Sequence, residues 1–258
     1  GLVHDKVRAI FESADGSIWF GTKGGLSRLK EGKFETFGPD RGVASSEVYF
    51  ITESPDGKLW VGMADGLRTL EGNAFSIPPG TEVTKQTRAV HFDTSGHVWT
   101  ATSGYGLHYF DGTSTFVINR LNGLFDDLIY SVTEDQFGRI WMSSNRGIFW
   151  VLKAELQDFM AGKIQRIGTT VYGIHDGMKS HECNGSFQPA SWNARDGRIW
   201  YPTVEGPVVV DPSRLEVQTP PPTIVIEKVL ADGESIATRG NLSLKAGTRK
   251  LAIHYTAP

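Results

Sequence analysis

Apolar residues fall in short bursts of four to seven, broken by Gly, Asp and Asn, and alternation within the bursts predicts half-buried strands rather than helices. Val7-Arg8-Ala9-Ile10-Phe11, Val48-Tyr49-Phe50-Ile51, Arg88-Ala89-Val90-His91-Phe92 and Ile129-Tyr130-Ser131-Val132 are four such bursts. Each is followed by a glycine, a polar residue, a branched aliphatic and a tryptophan. The glycine–tryptophan pairs are Gly16/Trp19, Gly57/Trp60, Gly96/Trp99, Gly138/Trp141 and Gly197/Trp200. Their glycines are 41, 39, 42 and 59 residues apart, and five of the seven tryptophans occupy this slot. A second glycine follows each tryptophan, at Gly25, Gly66, Gly106, Gly147 and Gly206. Short aromatic segments come next, such as Lys33 to Phe37, Ala74 to Ile77 and Thr115 to Ile118.

Each repeat thus predicts four strands joined by tight turns, and Asp15-Gly16, Asp56-Gly57 and Asp196-Gly197 are two-residue hairpin signals. A four-stranded unit of about 41 residues is the blade of a β-propeller, in which neighbouring sheets bury one another's faces. The repeated tryptophans read as packing between blades. The expected fold is all-β, with blades at about 1–40, 41–80, 81–122, 123–170 and 171–222. A five-bladed ring and an arc completed by a partner both fit this count. Two insertions swell the fifth unit in this reading, a short amphipathic helix from Lys153 to Ala161 and the stretch Gly177 to Ala194. The Pro-rich stretch 218–223 marks a boundary. Beyond it the glycine–tryptophan period is lost, strands are expected at Ile224 to Val229 and Leu251 to Tyr255, and Leu242 alternates with Leu244.

Composition adds bounds. Glycine supplies 30 of 258 residues without a collagen-like period, consistent with turn-rich β-structure. The net charge of −3 gives no support for a nucleic-acid partner. A single cysteine, Cys183, excludes an internal disulfide framework and a multi-cysteine metal site. No apolar run approaches a membrane-spanning length. The chain opens on Gly1, from which an excised or processed piece of a longer protein is expected.

Candidate chemistry lies in two places. Arg8, Tyr49, Arg88 and Tyr130, with Pro189 in the fifth unit, stand eight residues before the turn glycines on the innermost strands. Such residues could line a polar funnel for a sugar or an acidic group, or simply bury their stems and leave a polar tip in water. The second place is His181-Glu182-Cys183-Asn184, an imidazole, a carboxylate, a thiol and an amide on one expected loop. It reads as ligand or partner contact at His181, Glu182 and Asn184, or as loop structure; no second His/Cys pair completes a metal site. No catalytic residue, metal or cofactor is assigned. The adjacent acids Asp126-Asp127 read as solvated loop residues before they read as a glycosidase pair.

These repeats resemble those of the two-component regulator propeller family, through the Asp-Gly-x-hydrophobic-Trp turn and the later Gly-Leu. Gly1-Leu2 and Gly123-Leu124 also fit, and Asp176-Gly177-Met178, Asn184-Gly185 and Asp211-Pro212 resemble the family's last blade. The segment 223–258 resembles the start of the immunoglobulin-like domain that follows it, with Tyr255 as one of that domain's three tyrosines. The resemblance implies a non-enzymatic, periplasmic or extracellular sensor region of a bacterial membrane receptor with a cytoplasmic kinase or cyclase output. It implies upstream propeller blades of the same receptor as a partner, a homodimer, and an oligosaccharide or small-molecule ligand. A carbohydrate-active propeller enzyme and a purely structural spacer are the alternatives.

Overall fold

Glycine sets each hairpin: Gly16 and Gly138 turn at φ 76° and 72°, a left-handed conformation in which a Cβ would be strained. From these turns antiparallel strands run outward in chain order. The structure, a computed structural model, describes residues 1–43, 47–185, 187–215, 225–236 and 244–256. Its backbone divides into two units, Gly1–Pro212 and Ser213–Pro258.

In the first unit, one sheet holds β1 (Val7–Glu12), β2 (Ile18–Thr22), β3 (Gly25–Lys30) and β4 (Lys33–Phe37). The second holds β5 (Val48–Glu53), β6 (Leu59–Met63), β7 (Gly66–Glu71) and β8 (Ala74–Ser76). The third holds β9 (Thr87–Phe92), β10 (Val98–Thr102), β11 (Leu107–Phe110) and β12 (Thr115–Ile118). The fourth holds β13 (Ser131–Glu134), β14 (Arg139–Ser144), β15 (Gly147–Leu152) and β16 (Thr170–Tyr172), with helix α1 (Lys153–Met160) between its last two strands. Both the helix and β16 therefore belong to the fourth sheet, where the sequence placed the helix with the fifth repeat and ended the fourth at 170. The fifth sheet has three strands where four were expected, β17 (Trp192–Asn193), β18 (Ile199–Thr203) and β19 (Gly206–Val210).

Strand alternation sorts the faces. Trp19 points forward and meets Phe75 of the next sheet with ring centroids 6.2 Å apart, while Leu59 and Val61 of β6 point back into the same cluster. Trp60 meets Phe92 of the third sheet at 5.5 Å, and Trp99 shares a core with Ile140 and Met142 of the fourth. Each of the first three sheets thus buries its tryptophan against the next. Burying an indole N–H needs an acceptor. Trp19 donates to Ser13 Oγ (3.3 Å), Trp99 to Asp93 Oδ2 (3.3 Å) and Trp141 to Asp135 Oδ2 (2.7 Å). These acceptors stand three residues before the turn glycine. Ser54 holds that place in the second repeat and spends its hydroxyl on Asp56 and Lys58 O, and Ala194 holds it in the fifth.

The second unit contains β20 (Val225–Ala231), β21 (Glu234–Ile236) and β22 (Leu251–Thr256) in an antiparallel sheet of order β21-β20-β22. The expected boundary at 222/223, Ile224 and Leu242 lie outside the described residues.

A candidate ligand-contact site at the inner ends of the sheets

The inner strands β1, β5, β9 and β13 lie side by side in that order, so one repeat position from each converges. Arg8 and Arg88 both approach the ring of Tyr49, their guanidinium carbons 5.6 and 3.8 Å from its centroid. Arg8 also lies 5.5 Å from the Phe187 ring. A cation over an aromatic face is attracted by the ring quadrupole. Glu47, two residues before Tyr49, accepts from Arg8 Nη2 (3.2 Å) and from the Tyr49 hydroxyl (2.7 Å). Burial works to raise the Glu47 pKa, but the Tyr49 hydrogen bond and the Arg8 charge outweigh it and hold the carboxyl below its ordinary value. Burial and the bond to Glu47 push the Tyr49 phenol up. Arg88 Nη2 donates weakly to Ser103 Oγ (3.4 Å), and its buried Nε has no partner among the described residues. Among the described residues no ion pair is made by Arg88, whose guanidinium lies over the Tyr49 ring.

Tyr130 lies just before β13 and donates to Asn145 Oδ1 at 2.7 Å. Against its ring runs Gly185, where an added Cβ would fall 1.8 Å from Tyr130 Cγ. This contact belongs to a detour of the chain. Cys183 bridges to Thr203 and Trp192–Asn193 pair with Trp200 and Ile199, so both ends of 184–191 lie along β18. Between them the chain leaves the sheet and crosses to the first and second sheets. There Gln188 N–H donates to Arg8 O at 2.8 Å. Its side-chain amide donates to Ile51 O and accepts from Ile51 N–H, both at 2.8 Å. Pro189 follows on this detour and lies outside any strand.

His181, Glu182 and Asn184 are exposed, and Glu182 lends a negative field to Tyr130. Their backbone is tied down by Val204 N–H to Glu182 O (3.2 Å) and Asn184 N–H to Pro202 O (2.8 Å). Cys183 between them is buried, and burial pushes its thiol up to about 11, which keeps the sulfur protonated at neutral pH. Among the described residues no group of three or more His, Cys, Asp or Glu side chains is placed to hold a metal ion. Asp126 and Asp127 accept from the backbone N–H groups of Leu128 (3.2 Å) and Arg120 (2.8 Å) and so brace their loop.

The site's geometry thus unites Arg8, Tyr49 and Arg88 in one stack, with Tyr130 beside the detour and the His181–Asn184 strip at its start. Glu47 and Gln188 are the members that the repeat pattern did not show. Glu47 could have been found as an acid on the same strand parity as Tyr49; Gln188 carries no local signal.

Stacked antiparallel sheets of this kind, the first three burying a repeated tryptophan against the next, define a repeat protein of propeller-like architecture. Residues 1–24 and 123–146 match the family model described as two component regulator propeller. No curated protein sequence matches the chain. Among solved structures, the extracellular domain of the hybrid two component system BT3049 from B. thetaiotaomicron is 17% identical, with a TM-score of 0.50, over 93% of this chain and 38% of that one. The chain therefore spans well under half of that extracellular domain. PorZ, a surface component of the type-IX secretion system of Porphyromonas gingivalis, is 18% identical with a TM-score of 0.55, over 82% of this chain and 33% of that one. Virginiamycin B lyase from Staphylococcus aureus is 14% identical with a TM-score of 0.53, over 80% and 70% of the two chains. At these identities the likeness is one of fold.

Proposed function

We propose that the chain is part of the extracytoplasmic sensor region of a bacterial two-component-type receptor, and that it works by contact without turnover. The observation that carries this reading is the forward face of the fifth sheet. Trp19, Trp60, Trp99 and Trp141 are 2, 8, 0 and 0% exposed, whereas Trp200 is 36% and its β17 neighbour Trp192 is 64% exposed. On the backward face of the first sheet Ile10 and Phe34 are 59 and 45% exposed. In the first three sheets the corresponding tryptophan face is covered by the sheet of the next repeat. On this reading the five units form an arc, completed by further blades of the same receptor on both sides, and the second unit begins an immunoglobulin-like domain.

Ligand contact is assigned to the inner ends of the strands, with Arg88 and Tyr49 facing a polar sugar or an acidic group, and with signalling through a receptor homodimer. A carbohydrate-active enzyme is the weaker alternative. Glu47 is held ionised by Tyr49 and Arg8, which disfavours a proton-donating role. Collisional quenching of Trp200 and Trp192 by iodide tests the arc. In the intact extracellular region both tryptophans are expected to be shielded relative to this chain alone; equal quenching in the two would overturn the reading. Deleting 1–212 from the receptor without loss of ligand response would favour a structural spacer.

A further inference from the structure

The turn between β14 and β15 inverts the charge found at the same place in the second repeat. Asp65 precedes Gly66 there and is matched by Arg68 at 2.7 Å. In the fourth repeat Arg146 precedes Gly147. Arg146 lines a cleft of about 470 Å³ between the β12–β13 connection and the fourth sheet, together with Arg120, which opens the turn after β12, and Arg166, which precedes β16. All three arginines are exposed, and none has a carboxylate partner among the described residues. The corresponding junction of the first and second sheets is neutralised, with Arg41 on Glu35 at 2.5 Å.

A guanidinium carries five N–H donors in a rigid fork. Among the described residues, the side chains of the three make one hydrogen bond, from Arg146 Nη1 to Phe125 O at a long 3.4 Å. Arg146 is also placed over the Phe125 ring, 4.6 Å from its centroid, and the aliphatic stem of Arg166 lies against Gly123. The acids of the adjoining loop are engaged by backbone, Asp126 with Leu128 N–H and Asp127 with Arg120 N–H. Three like charges on one cleft repel one another, and in a chain of net charge −3 this local excess runs against the overall sign. An incoming oxyanion removes that repulsion and meets paired N–H groups in the geometry that carboxylate and sulfate accept. Leu124, Phe125, Ile167 and Val171 supply an apolar wall beside the charges, which fits an organic acid or ester better than a bare ion.

We infer that this cleft is a second binding site, separate from the inner-strand cluster, for a small organic ligand bearing a carboxylate or sulfate group held by Arg146 with Arg166 and Arg120. The site stands whether or not the sensor reading above is right.

Isothermal titration of the chain with methyl glucuronide, glucose 6-sulfate, inorganic sulfate and glucose tests it. Binding of methyl glucuronide or glucose 6-sulfate is expected, weakening as salt is raised, and whichever binds identifies the preferred group. Inorganic sulfate should bind more weakly than the better of these two, and glucose should not bind. Arg146→Ala is expected to weaken that binding about tenfold, the loss typical of one charge-assisted hydrogen-bonded pair. The pair Arg146→Ala/Arg166→Ala should abolish it. Lys33→Ala, which makes the same change in net charge on an exposed residue of β4, should leave it unaltered. Because the three arginines are exposed, the variants should keep the parent near-UV circular dichroism. The inference is overturned if neither organic anion binds, if glucose binds as well as they do, or if a folded double variant binds them as tightly as the parent.

Discussion

Gln188→Ala removes the side-chain contact that ties the fifth repeat to the second sheet across the middle of the fold. The side-chain amide presents the same donor and acceptor as a peptide group and pairs with both polar groups of Ile51 at 2.8 Å. Two neutral hydrogen bonds contribute about 1–3 kcal/mol together. Ile51 is fully buried. If its N–H is left without a partner, a further penalty of about 1–3 kcal/mol arises, reduced to the extent that water enters the space left by the side chain. The net expectation is about 2–4 kcal/mol, since the main-chain bond from Gln188 N–H to Arg8 O does not depend on the side chain. For a unit of this size, that lowers Tm by about 5–15 °C.

Urea titration followed by tryptophan fluorescence reads the loss as a shift in midpoint. Gln188→Glu adds a test of mechanism. Its carboxylate accepts from Ile51 N–H but cannot donate to Ile51 O, so at neutral pH it should be no better than alanine. As pH falls through the carboxylate range, the protonated acid regains a donor, and the gap to the parent should narrow. A midpoint for Gln188→Ala within about 0.5 kcal/mol of the parent, the scatter typical of inert surface changes, would refute the reasoning.

Other substitutions probe different parts of the same architecture. Gly185→Ala forces a Cβ into the Tyr130 ring at 1.8 Å and should cost about 1–3 kcal/mol, relieved by Tyr130→Ala in a double-mutant cycle. Asp135→Ala strands the Arg139 cation, whose side chain is 6% exposed, and the Trp141 indole; a loss of about 3–5 kcal/mol in urea unfolding is expected. Trp99→Ala should cost about 3–5 kcal/mol, whereas Trp200→Ala should cost far less in this chain and more in the intact receptor region. His91 supplies a pH test. Burial lowers its pKa below the ordinary 6.5 against the opposing pull of Glu134, so the unfolded chain binds the proton first and stability falls as pH drops below about 6.5. His91→Gln should flatten that part of the profile. The acid loss from Asp93, whose pKa Lys153 holds down against the effect of burial, should remain at lower pH.

The fold was legible because it is periodic. A turn glycine, an aliphatic and a tryptophan recur at fixed offsets, and strand alternation assigns the face of every neighbour once the tryptophan is placed. The same periodicity brought Arg8, Tyr49 and Arg88 together, since equal offsets on adjacent inner strands must converge. The indole acceptors were legible too, in the position occupied by Ser13, Asp93 and Asp135, but they become a signal only when buried indole N–H groups are counted. The three-stranded fifth sheet was not legible, because its inner strand is split by a detour with no pattern of its own. The Gln188–Ile51 contact joins residues 137 positions apart, and nothing local to either residue specifies the other.

The detour also bears on how the inner-strand cluster would respond to a ligand. Arg8 touches the detour in two ways, through its carbonyl to Gln188 N–H and through its guanidinium to the Phe187 ring. Tyr130 touches it through Gly185. A ligand that drew the Arg8 side chain away from Phe187 or displaced the Tyr130 ring would act on 184–191 directly. The ends of that segment are fixed along β18, through Cys183 at Thr203 and Trp192 at Trp200. Movement at the inner strands would therefore reach the open tryptophan face of the fifth sheet along a single covalent path. That gives the proposed sensor a physical link between ligand contact and the surface where further blades are expected to pack.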